Sequence, residues 1–472
     1  MHGTEADLGL IGLAVMGQNL VLNMADNGYR VAVYNRTQAR MAEFIAGPAA
    51  GYDVVPTDSL EQLVSALARP RKLMLLVQAG AAVDAVLEEL IPLLEPGDIV
   101  IDGGNSHFPD TERRLGELDR HGLHFVGAGI SGGEEGARTG PSIMPGGDSR
   151  AWPHLKDIFE AIAAKVDGVP CCRWLGAGGS GHFVKMVHNG IEYGDMQLIA
   201  ETYDLLHNVL RLDHDRMADV FAGWNRGRLE SYLVEITADI LAFRDADGEP
   251  LLEKILDSAG QKGTGKWTAV NALEEGVPLT LIGEAVFARF LSALKDERVR
   301  AADILPGPAL PAAPQADEFL VSLEEALYSA KLVSYAQGYR LLAAASENYG
   351  WDLDLAGIAL IWRGGCIIRS VFLNDIAAAL SGGGKAQDLL LDPFFRDALA
   401  ASQAGWRTVV AAAVQAGVPV PALASALTFF DGYRSARVPA NLIQAQRDYF
   451  GAHTFERTDN ERGRFFHADW NE

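Results

Sequence analysis

The chain has 472 residues, 49% hydrophobic and 22% charged, with a formal net charge of −22. That length exceeds one ordinary hydrophobic core and calls for two or three domains. The acidic balance excludes a duplex-binding or acidic-membrane surface, so any anionic ligand must be met by a local cluster of Lys and Arg. The three cysteines, Cys171, Cys172 and Cys366, offer neither a disulfide framework nor metal-ligand spacing, which fits a reducing cytoplasm. The start, residues 1–7, is acidic and lacks the basic and apolar regions of a signal peptide.

Residues 7–12 read as a short buried strand running into Gly12-Leu13-Ala14-Val15-Met16-Gly17, with helical periodicity from Gln18 to Asp26. This is a dinucleotide-binding fingerprint with Ala14 at the second glycine. Gly12 permits the tight turn, Gly17 close helix–strand packing, and the helix N-terminus offers N–H groups to a pyrophosphate. A second strand over 29–34 ends in Asn35-Arg36-Thr37. An acidic residue there would hold a ribose 2′-hydroxyl; an amide, a guanidinium and a hydroxyl suit a 2′-phosphate, so the expected cofactor is NADP. An ordinary exposed loop arginine is the competing reading of Arg36. Strands over 72–77 and 98–102 lead into Gln78-Ala79-Gly80 and Gly103-Gly104-Asn105-Ser106, at the sheet end where ligands collect. A further strand runs into Ser131-Gly132-Gly133, which reads equally as a cradle for a carboxylate or hydroxyl and as a plain loop.

After residue 180 helical patterning dominates. Lys185, His188, Asn189 and Glu192 fall within about 120° on one helix, while Phe183, Val184, Met186, Val187, Ile191, Met196, Leu198 and Ile199 cover the other directions. The stripe is expected to face a protein-lined cavity, where burial moves the pKa values of an ammonium and a carboxylate into the range of acid–base work. A solvated surface face is the alternative. Residues 217–227 and 355–365 resemble each other, each followed by a serine, Ser231 or Ser370, and read as a duplicated helical unit. The helix before the second copy has Lys331 and Tyr335 but no such stripe, so that copy is expected to be structural.

Between the copies, Gly260-Gln261-Lys262-Gly263-Thr264 can present an ammonium, a hydroxyl and main-chain N–H groups to a phosphate. Arg289 is a lone cation in an apolar helix, either paired to a structural carboxylate or clamping a ligand. Residues 304–314 hold four prolines and read as a surface connection. The apolar run near 408–430 is broken by Gln415, Gly417, Pro419 and Pro421, so it is no membrane span. The aromatic tail from Gln446 to Trp470 is expected to pack on something, a dimer partner being one surface.

Taken in order, the segments 12–19, 102–106, 129–138, 185–193, 260–267 and 447–453 resemble the decarboxylating 6-phosphogluconate dehydrogenases over essentially the whole chain. The resemblance implies an α/β Rossmann-like N-terminal domain (1–180), a large all-α substrate and dimerisation domain with an internal duplication (181–435), and a C-terminal tail (436–472) on the other subunit of a homodimer. It implies oxidative decarboxylation of 6-phospho-D-gluconate with NADP, in the oxidative pentose phosphate pathway and without a metal. Lys185 would be general base on the C3 hydroxyl and Glu192 the acid that protonates C1. Gly12, Ala14, Met16, Gly17, Asn35, Arg36, Thr37, Val77, Gln78, Ala79 and Asn105 would hold the cofactor. Asn105, Ser131, Gly132, Gly133, His188 and Asn189 would hold the sugar acid's carboxylate and hydroxyls. Its phosphate would fall to Tyr193, Lys262, Thr264 and Arg289, with Arg447 and His453 from the partner chain. Two residues depart from the family pattern: Gln78 removes a cation near the cofactor, and Thr139 stands where an aromatic is common. The rival readings are a β-hydroxyacid dehydrogenase for an unphosphorylated substrate and an NADP-binding regulatory protein with a vestigial catalytic helix.

Overall fold

The computed structural model describes residues 5–309, 314–381 and 386–470. The readings of the acidic start and of the 304–314 connection fall partly on residues 1–4 and 310–313, outside the described residues. One compact unit runs to Ser425 and a second begins at Ala426.

The first unit opens with strands β1 (Leu8–Ile11), β2 (Val31–Tyr34), β3 (Val54–Pro56), β4 (Lys72–Leu75), β5 (Ile99–Asp102), β6 (His124–Ser131) and β7 (Ser142–Gly147), in the spatial order β3-β2-β1-β4-β5-β6-β7. The first six are parallel and β7 is antiparallel to β6. This is the doubly wound order, whose direction reverses between β1 and β4 and leaves a crevice at their carboxyl ends. Helices α1 (Val15–Asp26), α2 (Gln38–Ala46), α3 (Leu60–Ser65), α4 (Ala81–Leu90), α5 (Phe108–Asp119), α6 (Gly133–Thr139) and α7 (Trp152–Ile162) connect the strands, and a small hairpin of β8 (Lys165–Val166) and β9 (Val169–Pro170) follows.

Alternation along the strands sends side chains to two cores. Leu8, Leu10, Val31, Val33, Ile99 and Ile101 pack with Leu20, Val21 and Met24 of α1 and with Leu155 and Phe159 of α7. Ile11, Ala32, Leu73, Leu75 and Val100 pack with Leu63 of α3, Leu87 of α4 and Leu118 of α5. At roughly 1.5–3 kcal/mol per fully buried aliphatic side chain, these two layers hold the strand ends, and so the crevice, in place.

Helices make up nearly all of the rest: α8 (Ser180–Asn208), α9 (His214–Trp224), α10 (Tyr232–Ala242), α11 (Thr264–Glu274), α12 (Thr280–Ala293), α13 (Lys295–Ile304), α14 (Ala316–Tyr349), α15 (Leu355–Ile361), α16 (Leu373–Leu380), α17 (Pro393–Ala416), α18 (Pro421–Tyr433) and α19 (Ala440–Gly451). None of the described helices is long and apolar enough to cross a membrane. The duplication is visible as a long helix followed by two short ones, α8-α9-α10 and α14-α15-α16. The two copies meet at their matching serines, where Ser231 and Ser370 form an antiparallel bridge, flanked by bonds from Tyr232 N to Arg369 O (3.2 Å) and from Val371 N to Glu230 O (3.0 Å).

Candidate active site

Strand β1 ends one residue before Gly12, and α1 starts at Val15, three residues earlier than the periodicity predicts, so Met16 and Gly17 sit in its first turn. Gly12 has φ +107°, and a Cβ there would lie 2.4 Å from Leu76 O; one on Gly17 would lie 2.0 Å from Gly12 O. Only glycine closes this turn. No side chain caps α1 at Ala14, so the first-turn N–H groups face outward as donors for a pyrophosphate. A dinucleotide therefore fits the cradle.

Asn35 behaves differently from the expectation of an amide facing the ligand. It is buried; its Oδ1 accepts from Leu13 N (3.0 Å) and its Nδ2 donates to Thr37 O (2.8 Å). It satisfies a backbone N–H that the glycine turn leaves over and braces the cradle, with one amide hydrogen and one lone pair not used by these bonds. Arg36 and Thr37 are exposed, as is Arg40, which the sequence did not single out. Strand β4 stops at Leu75, so half-buried Val77 and Ala79 and exposed Gln78 belong to the turn after it. Asn105 is exposed at the mouth beyond β5.

Beneath that mouth lies a network that carries no sequence signal. Asp102 accepts from Ser106 Oγ (2.6 Å), Gly104 N (3.1 Å) and fully buried Arg114 Nη1 (3.3 Å). Arg114 also donates to Asp84 Oδ1 (2.7 Å) and Gly80 O (3.0 Å), tying the ends of β4 and β5 together. In an amphipathic helix an arginine beside Arg113 reads as surface charge; only packing reveals that it is enclosed. His182, also unflagged, links this network to α8: its Nε2 lies 3.1 Å from Asp102 O and its Nδ1 2.7 Å from Thr111 Oγ1.

Helix α8 lies against β6 because Gly129 has no side chain; a Cβ there would stand 2.3 Å from Lys185 Cβ. The stripe assembles as expected. Lys185, His188 and Asn189 are buried, and the Glu192 side chain is 23% exposed. Lys185 Nζ is 3.3 Å from His188 Nδ1, which is 3.1 Å from Asn189 Oδ1 and 3.8 Å from Glu192 Oε2; His188 Nε2 is 3.0 Å from Ser131 Oγ. Met196 departs from the expected apolar cover: it is 41% exposed, and its sulfur takes an Arg289 N–H (3.4 Å).

Burial lowers the Lys185 pKa, the Glu192 carboxylate partly opposing it. It raises Glu192 against the pull of Lys185 and Arg289, and with the Lys185 charge holds His188 well below its ordinary value. Burial thus shifts both groups toward their neutral forms, the amine and the acid.

Gly132, with φ +123°, packs under the backbone of Gly365 from the second copy; Gly133 follows in the exposed start of α6, and Thr139 at its end is exposed, its hydroxyl bonded to Glu135 O (2.9 Å). Beside Glu192 in the chain, Tyr193 has its ring centroid 3.5 Å from the guanidinium of Arg289 on α12, which donates to Gly260 O (3.3 Å). Thr264 is buried at the start of α11, which Gly263 enters in the left-handed conformation, and Lys262 is exposed just before it. Tyr193, Arg289 and the 260–264 loop are therefore gathered beside Glu192. Among the described residues no group of three or more His, Cys, Asp or Glu could hold a metal ion.

Arg447 and His453 belong to the second unit. Arg447 is exposed on α19 and donates to Gln444 Oε1 (3.0 Å); His453 packs edge-on against Phe450. That unit folds around Asp448, which accepts from Thr454 N (3.0 Å), Ala468 N (3.1 Å) and Trp470 Nε1 (2.8 Å) and contacts His467 Nδ1 (3.0 Å). These donors hold its carboxyl down at about 2. A hairpin of β10 (Phe455–Glu456) and β11 (Phe465–Phe466) completes the unit.

A doubly wound nucleotide cradle beside a buried Lys/Glu pair is the arrangement of a dinucleotide-linked dehydrogenase. Residues 7–176 match the model for the NAD binding domain of 6-phosphogluconate dehydrogenase, and residues 181–470 that for the C-terminal domain of the same enzyme. The chain is 60% identical over 453 residues to decarboxylating 6-phosphogluconate dehydrogenase 1 of Saccharomyces cerevisiae, covering 96% of this chain and 93% of that one. It is 58% identical over 468 residues to the sheep (Ovis aries) enzyme, covering 99% and 97%. A Plasmodium falciparum 6-phosphogluconate dehydrogenase, solved in its apo form, with NADP+ and with 6-phosphogluconate, superposes with a TM-score of 0.94 at 44% identity, covering 98% of this chain and 100% of that one. The chain belongs to the 6-phosphogluconate dehydrogenase family.

Proposed function

We propose that the chain converts 6-phospho-D-gluconate to D-ribulose 5-phosphate and CO2 with reduction of NADP. The observation that carries this is the buried Lys185–His188–Asn189–Glu192 stripe with its opposed amine and acid, in a chain whose full-length relatives are named for this reaction.

NADP would be held by Gly12, Ala14, Met16 and Gly17, by the backbone that Asn35 braces, by Arg36 and Thr37 at the 2′-phosphate, and by Val77, Gln78, Ala79 and Asn105. When bound, it supplies the hydride acceptor for C3. Neutral Lys185 takes the C3 hydroxyl proton as that carbon is oxidised. The product is a β-keto acid, and loss of CO2 leaves an electron pair that its carbonyl receives. The Lys185 ammonium formed in the first step faces the resulting enolate in a buried setting, where its charge counts most. Glu192, whose pKa burial raises, delivers its proton to C1.

Asn105, Ser131, Gly132, Gly133, His188 and Asn189 orient the carboxylate and hydroxyls. Tyr193, Lys262, Thr264 and Arg289 take the phosphate, with Arg447 and His453 of a second copy in a homodimer. In this reading residues 1–180 serve the cofactor, 181–435 the substrate and the dimer, and 436–472 the partner's site. Three buried, unpaired thiols support a reducing cytoplasm.

The test mixes the protein with 6-phosphogluconate and NADP, follows reduced nicotinamide by absorbance and traps CO2. Equal amounts are expected; reduction without CO2 refutes the decarboxylation. Arg36→Ala should raise the KM for NADP about tenfold or more, the worth of one charged phosphate contact, and leave NAD use unchanged. An equal loss with both cofactors would refute the 2′-phosphate assignment.

A further inference from the structure

Helix α14 of the second copy carries Tyr335, which is fully buried. Its hydroxyl donates to Ile368 O at 2.6 Å, and Ser370 Oγ lies 3.3 Å from the same hydroxyl oxygen. One turn earlier, Lys331 pairs with Asp195 of α8, so Tyr335 stands on a helix anchored to the catalytic helix. The loop that carries Ile368 and Ser370 starts at Gly365, whose carbonyl accepts from Ser142 N at 2.7 Å. Between these fastenings the Ile367 N–H points at Ser131 Oγ, 3.4 Å away.

A serine hydroxyl has one proton and accepting lone pairs. With the Ile367 N–H donating into its oxygen, the Ser131 proton is free for His188 Nε2 at 3.0 Å. Asn189 Oδ1, 3.1 Å from Nδ1, can only accept, which places the ring proton on Nδ1 and leaves Nε2 to accept the Ser131 proton. Lys185 Nζ, 3.3 Å from Nδ1, meets an N–H and not a lone pair. An ammonium there opposes a donor to a donor, whereas the free amine can accept. The groups facing Lys185 are His188 and Glu192 from its own helix and Cys366 from the loop; the Cys366 thiol, pushed up to about 12 by burial, is neutral. From β6 the chain presents Gly129, which does not titrate.

We infer that Tyr335 is a positioning residue for the proton transfer: by holding the Cys366–Ser370 loop it lets Ile367 and Ser131 set the His188 tautomer that keeps Lys185 in its basic form. The second copy, bare of catalytic groups, thereby acts on the first copy's base. This rests on Lys185 being that base.

The test is the pH profile of kcat/KM for the full-length enzyme and its Tyr335→Phe variant, which keeps the ring and loses the hydroxyl. The acid limb should move up by about half to one unit, so that the rate at the acid end falls roughly threefold to tenfold while the alkaline plateau is retained. NADP binding should not change. Ser131→Ala should move the limb in the same direction on top of a higher KM, and it decides the matter if Tyr335→Phe fails to fold. A limb that stays in place, or a loss equal at every pH, overturns the inference. Lys185→Met separates the two levels. If it is inactive while the Tyr335→Phe limb is unmoved, this inference alone fails; if it turns over normally, the function reading fails with it.

Discussion

Gly129→Ala isolates the contact that sets Lys185 against the sheet. The added Cβ would stand 2.3 Å from Lys185 Cβ and 2.8 Å from its Cγ. Carbon atoms rest at about 3.5–4.0 Å, so α8 must retreat by at least about 1 Å. It cannot do so freely, because Gly181 one turn earlier is packed so closely under Gly127 O and Met144 O that a Cβ there would lie 2.2 and 2.5 Å from them. Forcing a methyl into such packing costs about 1–3 kcal/mol of stability. A displacement of about 1 Å in a catalytic group costs on the order of a hundredfold in rate, or roughly 2.7 kcal/mol of activation free energy. Steady-state kinetics should therefore show kcat down about a hundredfold with NADP affinity retained, and urea unfolding a lower midpoint with unchanged slope. A variant with wild-type kcat and midpoint would refute the claim that this approach positions the base.

Two further predictions concern stability. Lys331→Met leaves the buried Asp195 carboxylate with only the Tyr335 hydroxyl, 3.4 Å away, and should cost about 3–5 kcal/mol in urea unfolding, while Lys331→Met with Asp195→Leu should recover most of it; a single variant as stable as wild type would show that the pair carries no weight. Glu201 accepts from Ala422 N (2.8 Å) and Leu423 N (2.9 Å) at the start of α18, and burial pushes its carboxyl up to about 7 from an ordinary 4.5. Between those values the folded state binds the proton more tightly than the unfolded one. This group's contribution is therefore full below about pH 4.5, falls as pH rises to 7 and is level above. Glu201→Gln should flatten that slope in unfolding midpoints measured from pH 5 to 8, and an unchanged slope would assign it to other groups.

Local pattern reaches a definite depth into this protein. The glycine turn, five of the seven strands of the main sheet, the polar stripe and the repeat follow from rules of short range: a left-handed φ needs glycine, buried parallel strands are apolar throughout, and positions three and four apart share a helix face. Lys185, His188, Asn189 and Glu192 are therefore readable from twelve consecutive residues, and the Ser231 and Ser370 copies from self-similarity. Tertiary structure alone decides which polar atoms are already satisfied. Asn35 has the composition of a ligand contact, and its amide also braces the turn through Leu13 and Thr37. Arg114 has the pattern of a surface charge, yet is enclosed with Asp102 and Gly80. Tyr335 belongs to the copy expected to be structural and His182 carries no sequence signal, yet one holds the loop at Ile368 and the other the end of β5 at Asp102. Apart from Thr37, those partners lie 12 to 80 residues away in the chain. A hydrogen bond is decided by a few tenths of an ångström, and only packing of the whole unit sets such distances.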